Sequence, residues 1–142
     1  MKEIQRLSVA LVTLFYAGVG IAGSSVDGPV QIDTELRSAQ GVQTTARFSD
    51  NEVEAIGCGA RVTDAGDGNI VSFGFCQATN ADNMSVFCAT FSPELIDAIN
   101  GIANYGFISF TWNEQEECTS VRNSTQSIYI PDFRDKKSKK TE

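Results

Sequence analysis

Four cysteines constrain this chain more than any other feature of its sequence. They are Cys58, Cys76, Cys88 and Cys118, and all of them follow an apolar N-terminal segment. An even number of cysteines in a short exported chain predicts two disulfides, for which three pairings are possible. Each bridge would stabilise the folded state by about 2–4 kcal/mol, which is a large share of the stability of a small domain.

Residues 1–23 have the composition of a secretory signal peptide. Lys2 and Arg6 precede an uncharged apolar stretch that ends in small residues. We place the cleavage site between Ala22 and Ser25. The alternative is a retained membrane anchor, for which the stretch is at the short limit of a bilayer about 30 Å thick. The mature chain is therefore expected to be secreted or periplasmic, with no membrane span after cleavage.

The charge of the mature chain restricts its partners. Residues 24–131 contain fourteen Asp and Glu but only four Arg and no Lys, which gives a net charge near −10. Such a surface repels nucleic acid, so we expect no nucleic-acid partner. It attracts a cationic partner. The alternative interpretation is that the acidic residues serve solubility alone.

Changes in composition divide the mature chain into three parts. Residues 24–50 are polar and rich in small residues, and we interpret them as a leader or linker that contributes one edge strand at most. Residues 51–131 contain the cysteines and form the predicted compact domain. Residues 132–142 form a charged tail with four Lys and little apolar surface, so we predict that the tail is disordered.

The compact part begins with a predicted hairpin. Apolar residues alternate over 56–62 and again over 71–76, and a segment dense in Asp, Gly and Asn separates them. A hairpin of this register sets Cys58 opposite Cys76, which leaves Cys88 to pair with Cys118.

The remaining pattern predicts one more strand, a helix and two further strands. The third strand covers 84–91. A helix over 93–103 follows, because Ser92 can cap it, a proline fits its first position and a glutamate suits its positive end. The last strands cover 105–112 and 118–130.

The predicted fold class is α+β. Three strands, one short helix and two strands fit a mainly antiparallel five-stranded sheet with the helix packed on it. The same order is typical of an OB-like small barrel, in which the helix lies between strands three and four. The spacing alone does not decide between the two.

The region 56–131 resembles a group of small exported bacterial proteins with four cysteines and no assigned activity. The residues that carry the resemblance are Ile56-Gly57-Cys58, Phe75-Cys76, Cys88-Ala89-Thr90, Pro93, Ile96, Ile99, Phe107-Ile108-Ser109-Phe110, Trp112, Cys118-Thr119, Tyr129 and Pro131. They are cysteines and packing residues, so the resemblance implies export, disulfides and one compact domain. It implies no substrate, cofactor or catalytic residue.

The sequence lacks the residues of most catalytic sites. It contains no His, which excludes catalysis by Ser-His-Asp and Cys-His groups. No Cys-x-x-Cys spacing is present for metal binding or redox chemistry. We therefore predict no catalytic residue and no cofactor.

Two acidic loops are the remaining candidates for chemistry. Asp64, Asp67 and Asn69 lie in a Gly-rich loop and offer oxygen ligands to Ca²⁺, but the EF-hand pattern is absent and we favour a plain hairpin turn, with no metal. The second loop holds acidic residues that, paired with the first loop, would resemble a glycosidase acid and base. These residues are Glu114, Glu116 and Glu117.

Aromatic residues near the end of the domain are the candidates for a contact surface. Trp112 is the best single candidate, because it is the last residue of a predicted strand with aromatic residues on both faces and precedes the acidic loop. Tyr105 and Tyr129 complete the predicted surface, together with the glutamates of that loop. The alternative is that these rings pack in the core.

Three classes of function fit these observations. The first is a non-enzymatic exported binding domain whose partner is a basic protein or a glycan. The second is a small secreted hydrolase that uses carboxylates. The third is a structural protein associated with the cell envelope.

Overall fold

The computed structural model describes residues 25–131, so the predicted signal peptide and the predicted C-terminal tail lie outside the described residues. The described chain contains seven strands, two α-helices and one 3-10 helix. The strands are β1 (Gln31–Asp33), β2 (Ser38–Val42), β3 (Ala55–Asp64), β4 (Ile70–Thr79), β5 (Ser85–Thr90), β6 (Phe107–Trp112) and β7 (Cys118–Ser124). The helices are α1 (Gln43–Arg47), α2 (Pro93–Asn100) and the 3-10 helix Ser127–Tyr129.

The strands form two open antiparallel sheets. One has the order β1-β2-β6-β7 and the other has the order β3-β4-β5. A single parallel bridge between Ala89 and Glu117 connects the two sheets by backbone pairing. The predicted β-rich fold with few helices is confirmed, but both the five-stranded sheet and the barrel are wrong. The reason is that β6 pairs with β2 and therefore does not join the sheet of β3, β4 and β5.

The prediction that residues 24–50 form a linker is also wrong for the part that the structure describes. Residues 25–50 supply β1, β2 and α1, and β2 lies between β1 and β6 inside its sheet. Val30, Ala39, Val42 and Ala46 are buried in the core. The hydrophobic pattern of this segment is weak because some of its buried residues, such as Ala39, have small side chains. Small side chains nevertheless suit a strand that packs closely beside β6.

The predicted disulfide pairing is confirmed. Cys58 and Cys76 are directly opposite each other in the β3–β4 hairpin and form one bridge. Cys88 and Cys118 form the other bridge, which links β5 of one sheet to β7 of the other. Because Cys76 also pairs with Cys88 in the β4–β5 register, the two bridges lie side by side in the core.

Small residues of the β3–β4–β5 sheet face the core. Gly74, Cys76 and Ala78 of β4 are buried, and α2 covers this face. A Cβ atom added to Gly74 would lie 2.6 Å from Ile99 Cδ1 of α2, so glycine allows the helix to approach the sheet. The phenylalanines of β4 have the opposite parity and point away from the core.

The helix α2 begins as the sequence predicts. Leu95 N donates a hydrogen bond to Ser92 Oγ at 3.3 Å, and Ser92 Oγ donates one to Glu94 Oε2 at 2.7 Å. The hydrogen bond from Ser92 lowers the pKa of the Glu94 carboxyl from its usual range, because it favours the ionised form. The helix ends at Asn100, one turn earlier than the predicted 93–103, because Gly101 caps it.

The last strands are shorter than predicted. Tyr105 has a positive φ of 65° and lies in a turn, so β6 starts at Phe107. After Ser124 the chain leaves the sheet and forms the 3-10 helix. Among residues 25–131, no helix has the length and apolarity needed to span a bilayer.

Replacing a glycine tests the packing of α2. We expect Gly74→Ala to lower the free energy of unfolding by about 1–3 kcal/mol, because its methyl group overlaps Ile99. Gly57→Ala is the matched control on β3, where no atom lies within 4 Å of the added Cβ. It should change stability by less than about 0.5 kcal/mol. Urea denaturation measures both, and equal losses would contradict the packing described here.

Removing each disulfide in turn tests which of the two contributes more to the free energy of unfolding. We expect Cys88→Ala with Cys118→Ala to cost about 3–4 kcal/mol in the free energy of unfolding. This bridge closes a separation of 30 residues and joins two sheets, whereas the other closes 18 residues within one hairpin. The control, Cys58→Ala with Cys76→Ala, should cost less in the same urea titration. A larger loss in the control would refute the assignment.

Candidate functional site

The predicted aromatic surface is divided between the two ends of β6. Trp112 is half-buried and its ring packs against Phe110 with 5.9 Å between centroids. Tyr129 is also half-buried and stacks on Phe107 at 5.9 Å. Phe107 and Trp112 are the two ends of β6, about 17 Å apart along the strand. Tyr105 precedes the first of these ends, so these rings form no common surface with Trp112.

The acidic loop between β6 and β7 has structural contacts. The Glu114 carboxylate accepts a hydrogen bond from the Arg37 guanidinium at 2.7 Å, in an exposed ion pair. The Glu117 carboxylate accepts one from Asn113 Nδ2 at 2.7 Å. The Glu116 carbonyl accepts one from a backbone N–H of β5 at 3.0 Å. These contacts fix the loop against its neighbours.

The Gly-rich loop at the tip of the β3–β4 hairpin is an exposed turn. The Asp64 carboxylate accepts a hydrogen bond from Gly66 N at 2.8 Å. Ala65 N donates to the Asn69 carbonyl at 2.8 Å and closes the turn. Asp67, at a φ of 55°, is exposed at its tip. Asp64 and Asn69, two of the residues considered as Ca²⁺ ligands, therefore take part in the hydrogen bonds that close the turn.

The structure does not bring the two acidic loops together. Glu117 is bridged to Ala89, which pairs with Phe75 in the middle of β4, whereas Asp64 pairs with Ile70 at the end of that strand. Phe75 and Ile70 are five residues apart on β4, which corresponds to about 17 Å along the strand. Glycosidase carboxyl pairs are about 5–9.5 Å apart, so the geometry of this pair does not fit that chemistry.

A cleft lies between α1 and the start of β3. Its volume is about 620 Å³, and its walls include Arg47, Glu52, Glu54 and Ile56. The Glu54 carboxylate accepts hydrogen bonds from Val30 N at 2.9 Å and from an asparagine side chain at 2.7 Å. The Glu54 carboxylate therefore links the segment before β1 to the turn before β3.

Three sulfur atoms lie close together in the core. The Sγ atoms of Cys76, Cys88 and Cys118 are all within 4.8 Å of one another. Each belongs to a disulfide, and a disulfide sulfur is not the thiolate that binds a metal ion. Their contribution is therefore to packing and covalent connection.

A row of four phenylalanines on the outer face of the β3–β4–β5 sheet is the strongest candidate for a functional surface. Phe73 and Phe75 lie on β4, Phe87 lies on β5 and Phe91 follows the end of β5. All four have the parity opposite to the buried cysteines of their strands. We call this row the phenyl face.

The rings of the phenyl face form a continuous chain. Phe91 contacts Phe73 with 6.3 Å between centroids, Phe73 contacts Phe75 at 6.3 Å, and Phe75 stacks on Phe87 at 6.2 Å. Phe91 is 71% exposed and Phe87 is 46% exposed, while the two rings of β4 are half-buried. Exposed rings in an unbroken row are typical of a binding surface.

Arg61 and Gly59 of β3 shape the middle of the phenyl face. The Arg61 guanidinium lies 5.4 Å from the centre of the Phe75 ring, within the range of a cation–π contact. The Phe75 ring leans over Gly59, where an added Cβ would lie 2.9 Å from the ring. Phe75 is thus held in place from both sides, and the other rings pack beside it.

Sequence alternation by itself could not identify the phenyl face. Alternation showed that the phenylalanines and the cysteines of these strands lie on opposite faces, but it did not show which face is buried. The second bridge supplies that information, because Cys88 must face the sheet that contains Cys118. The phenylalanines must then face away from that sheet.

Comparison with models of protein families, with curated proteins and with solved structures found no match to this chain. The resemblance to small exported bacterial proteins therefore stays a prediction. The candidate site is argued from its own geometry.

Serine substitutions test whether the phenyl face is a surface and not part of the core. We expect Phe87→Ser with Phe91→Ser to change the free energy of unfolding by less than about 1 kcal/mol and to lower binding of a hydrophobic dye. Phe110→Ser is the comparison, because Phe110 is 1% exposed and should cost about 3–5 kcal/mol. Similar losses in both variants would show that the exposed rings carry the fold.

Proposed function

We propose that this chain is an exported, non-enzymatic binding domain that contacts a basic protein through the phenyl face. The observation that carries the proposal is the exposed row of Phe73, Phe75, Phe87 and Phe91. Burying such rings against a partner contributes more than burying most other side chains, because each ring removes a large apolar area from water.

Two disulfides suggest an oxidising environment, extracellular or periplasmic. They support export of the domain, together with the N-terminal segment predicted as a signal peptide. They also support a binding role, since a domain with two covalent links presents its surface at low cost in conformational entropy.

Charge supports a basic partner. Residues 24–131 carry a net charge near −10, and acidic residues lie at both ends of β3, a strand of the sheet that carries the phenyl face. These are Glu52 and Glu54 before the strand and Asp64 and Asp67 at the hairpin tip. A partner with Lys or Arg around an apolar centre would be steered to this surface and held by it.

A protein is favoured over a glycan because the centre of the surface has few polar groups. Sugar recognition needs hydrogen-bonding side chains beside the stacked ring to fix the hydroxyl groups. Around Phe75, however, the neighbouring positions on the two flanking strands are Gly59 and Ala89. The polar side chains nearby are Arg61, which contacts the ring itself, and Gln77, two residues further along β4.

Selection from a library of random peptides displayed on phage, run beside a glycan array, tests the proposal. We expect enriched peptides that combine apolar residues with Lys or Arg, bind more weakly as salt is raised, and lose about tenfold or more in affinity to Phe87→Ser with Phe91→Ser. Leu36→Ser is the matched control, because Leu36 is 75% exposed in the turn between β1 and β2, away from the phenyl face.

Three results would count against the proposal. They are peptides that bind the phenylalanine variant as well as the unchanged protein, peptides enriched in Asp and Glu, and binding to the glycan array alone. Equal loss of affinity in Leu36→Ser would show that the effect is not specific to the phenyl face.

A further inference from the structure

The four sheet edges differ in how they are covered. β1 has only three residues, and β7 lies against α2, where Asn123 Nδ2 donates to the Ala98 carbonyl at 3.5 Å. The edge of β5 is closed by the hydrogen bond from Ala89 N to the Glu116 carbonyl at 3.0 Å. β3 is ten residues long and, within the described residues, pairs with β4 alone.

The register shows which backbone groups of β3 point to its free side. Ala65 N donates to Asn69 O, so these two residues form a hydrogen-bonded pair of the antiparallel ladder. Hydrogen-bonded and non-hydrogen-bonded pairs alternate from there along β3 and β4, and Arg61 with Phe73 is therefore a hydrogen-bonded pair. The β3 residues between the hydrogen-bonded pairs direct N–H and C=O away from β4. These residues are Cys58, Ala60, Val62 and Asp64. We call this side of residues 58–64 the open edge.

A hydrogen bond on the other side of the sheet agrees with this assignment of outward-pointing backbone groups. On the other side of β4, Asn80 N donates to Met84 O, so the same alternation makes Ala89 N point away from β4. Ala89 N indeed donates to Glu116 O. The ladder is therefore regular across all three strands.

The open edge has few of the devices that usually protect an edge strand. Residues 58–64 contain no Pro and no Lys, and the register with β4 continues without a bulge. Their charged side chains are Arg61, which contacts the Phe75 ring, and Asp64 at the hairpin end. Val62 is 69% exposed, and in the part of the chain that the structure describes no hydrogen bond reaches the outward backbone groups. A long exposed edge of this kind pairs readily with another strand.

We propose that the open edge binds an extended segment of the basic partner by strand addition. The inference rests on the proposed function and specifies the form of the ligand. The added strand would place alternate side chains beside Gly57 and Gly59, on the same side of the sheet as the phenyl face. At Gly57 no atom lies within 4 Å of a Cβ position, so there is room for the apolar side chains of the segment.

Charge identifies the occupant. The open edge lies between the exposed Glu52 at one end and Asp64 and Asp67 at the other, which suits a segment with Lys or Arg at both ends. In a second copy of this chain, residues 24–131 would bring another net charge near −10 against the first. The repulsion disfavours edge-to-edge pairing of two copies and favours a cationic strand.

Amide hydrogen exchange with a defined probe tests the proposal. The probe is the acetylated and amidated peptide Lys-Val-Thr-Val-Thr-Val-Lys, and its control carries Pro in place of the central Val. In the free protein, the amides of Ala60 and Val62 should exchange fast, while those of Arg61 and Thr63 are protected by β4. Adding the probe should slow exchange at Ala60 and Val62 about tenfold or more, and the control peptide should not.

A pair of variants at one position tests the backbone directly. Val62→Pro removes an outward N–H without breaking the ladder to β4, so it should weaken probe binding about tenfold. Val62→Thr keeps the N–H and should bind like the unchanged protein. Unchanged binding in Val62→Pro would overturn strand addition. So would added protection that is equal at the outward amides of Ala60 and Val62 and at the amides of Arg61 and Thr63, which face β4.

Other occupants give distinct results that also overturn the proposal. Protection of Ala60 and Val62 that rises with protein concentration would indicate a second copy. Protection that is lost when residues 132–142 are removed would indicate the chain's own C-terminal segment.

The variants separate this inference from the proposed function. Loss of binding in Phe87→Ser with Phe91→Ser, combined with full binding in Val62→Pro, would refute strand addition and leave the phenyl face as the site. Full binding in Phe87→Ser with Phe91→Ser, combined with loss of binding in Val62→Pro, would refute the role of the phenyl face. Full binding in both variants would refute both proposals.

Discussion

The disulfide between Cys88 and Cys118 is the constraint on which the rest of this structure depends. It joins β5 to β7, two strands whose sheets share only one backbone bridge, at Ala89 and Glu117. Two small open sheets bury little apolar area, and their association without a covalent link would be weak. The second bridge, between Cys58 and Cys76, lies beside the first and completes a core in which sulfur replaces larger apolar side chains.

This sulfur-containing core decides which residues become the surface. Cysteine, glycine and alanine on the inner face of β4 let α2 and the second sheet approach closely, as the contact of Gly74 with Ile99 shows. The phenylalanines of the same strands have the opposite parity and are left outside. Strands that would bury their aromatic residues in a larger domain therefore leave Phe87 and Phe91 exposed. The phenyl face is a consequence of the covalent core.

The same arrangement leaves β3 with an uncovered side. The β4–β5 ladder occupies one side of the hairpin, the loop before β7 closes β5, and the short helix α1 reaches only the start of β3 beside the cleft lined by Arg47 and Ile56. The open edge lies beside exposed rings and between carboxylates, so the proposed partner would use apolar burial, backbone pairing and charge together.

The sequence by itself determined the local elements: the hairpin of β3 and β4, the strand β5, the capped start of α2 and the disulfide pairing all follow from alternation, turn residues and cysteine positions. It did not determine that β6 pairs with β2, because strand pairing over a long separation leaves no local pattern, and the small residues of 25–50 concealed a central strand. It also gave opposite faces to Phe75 and Cys76 without deciding which face is buried. Only the tertiary structure decided that, since burial depends on what packs against a face, and here the second sheet is tied to the cysteine side.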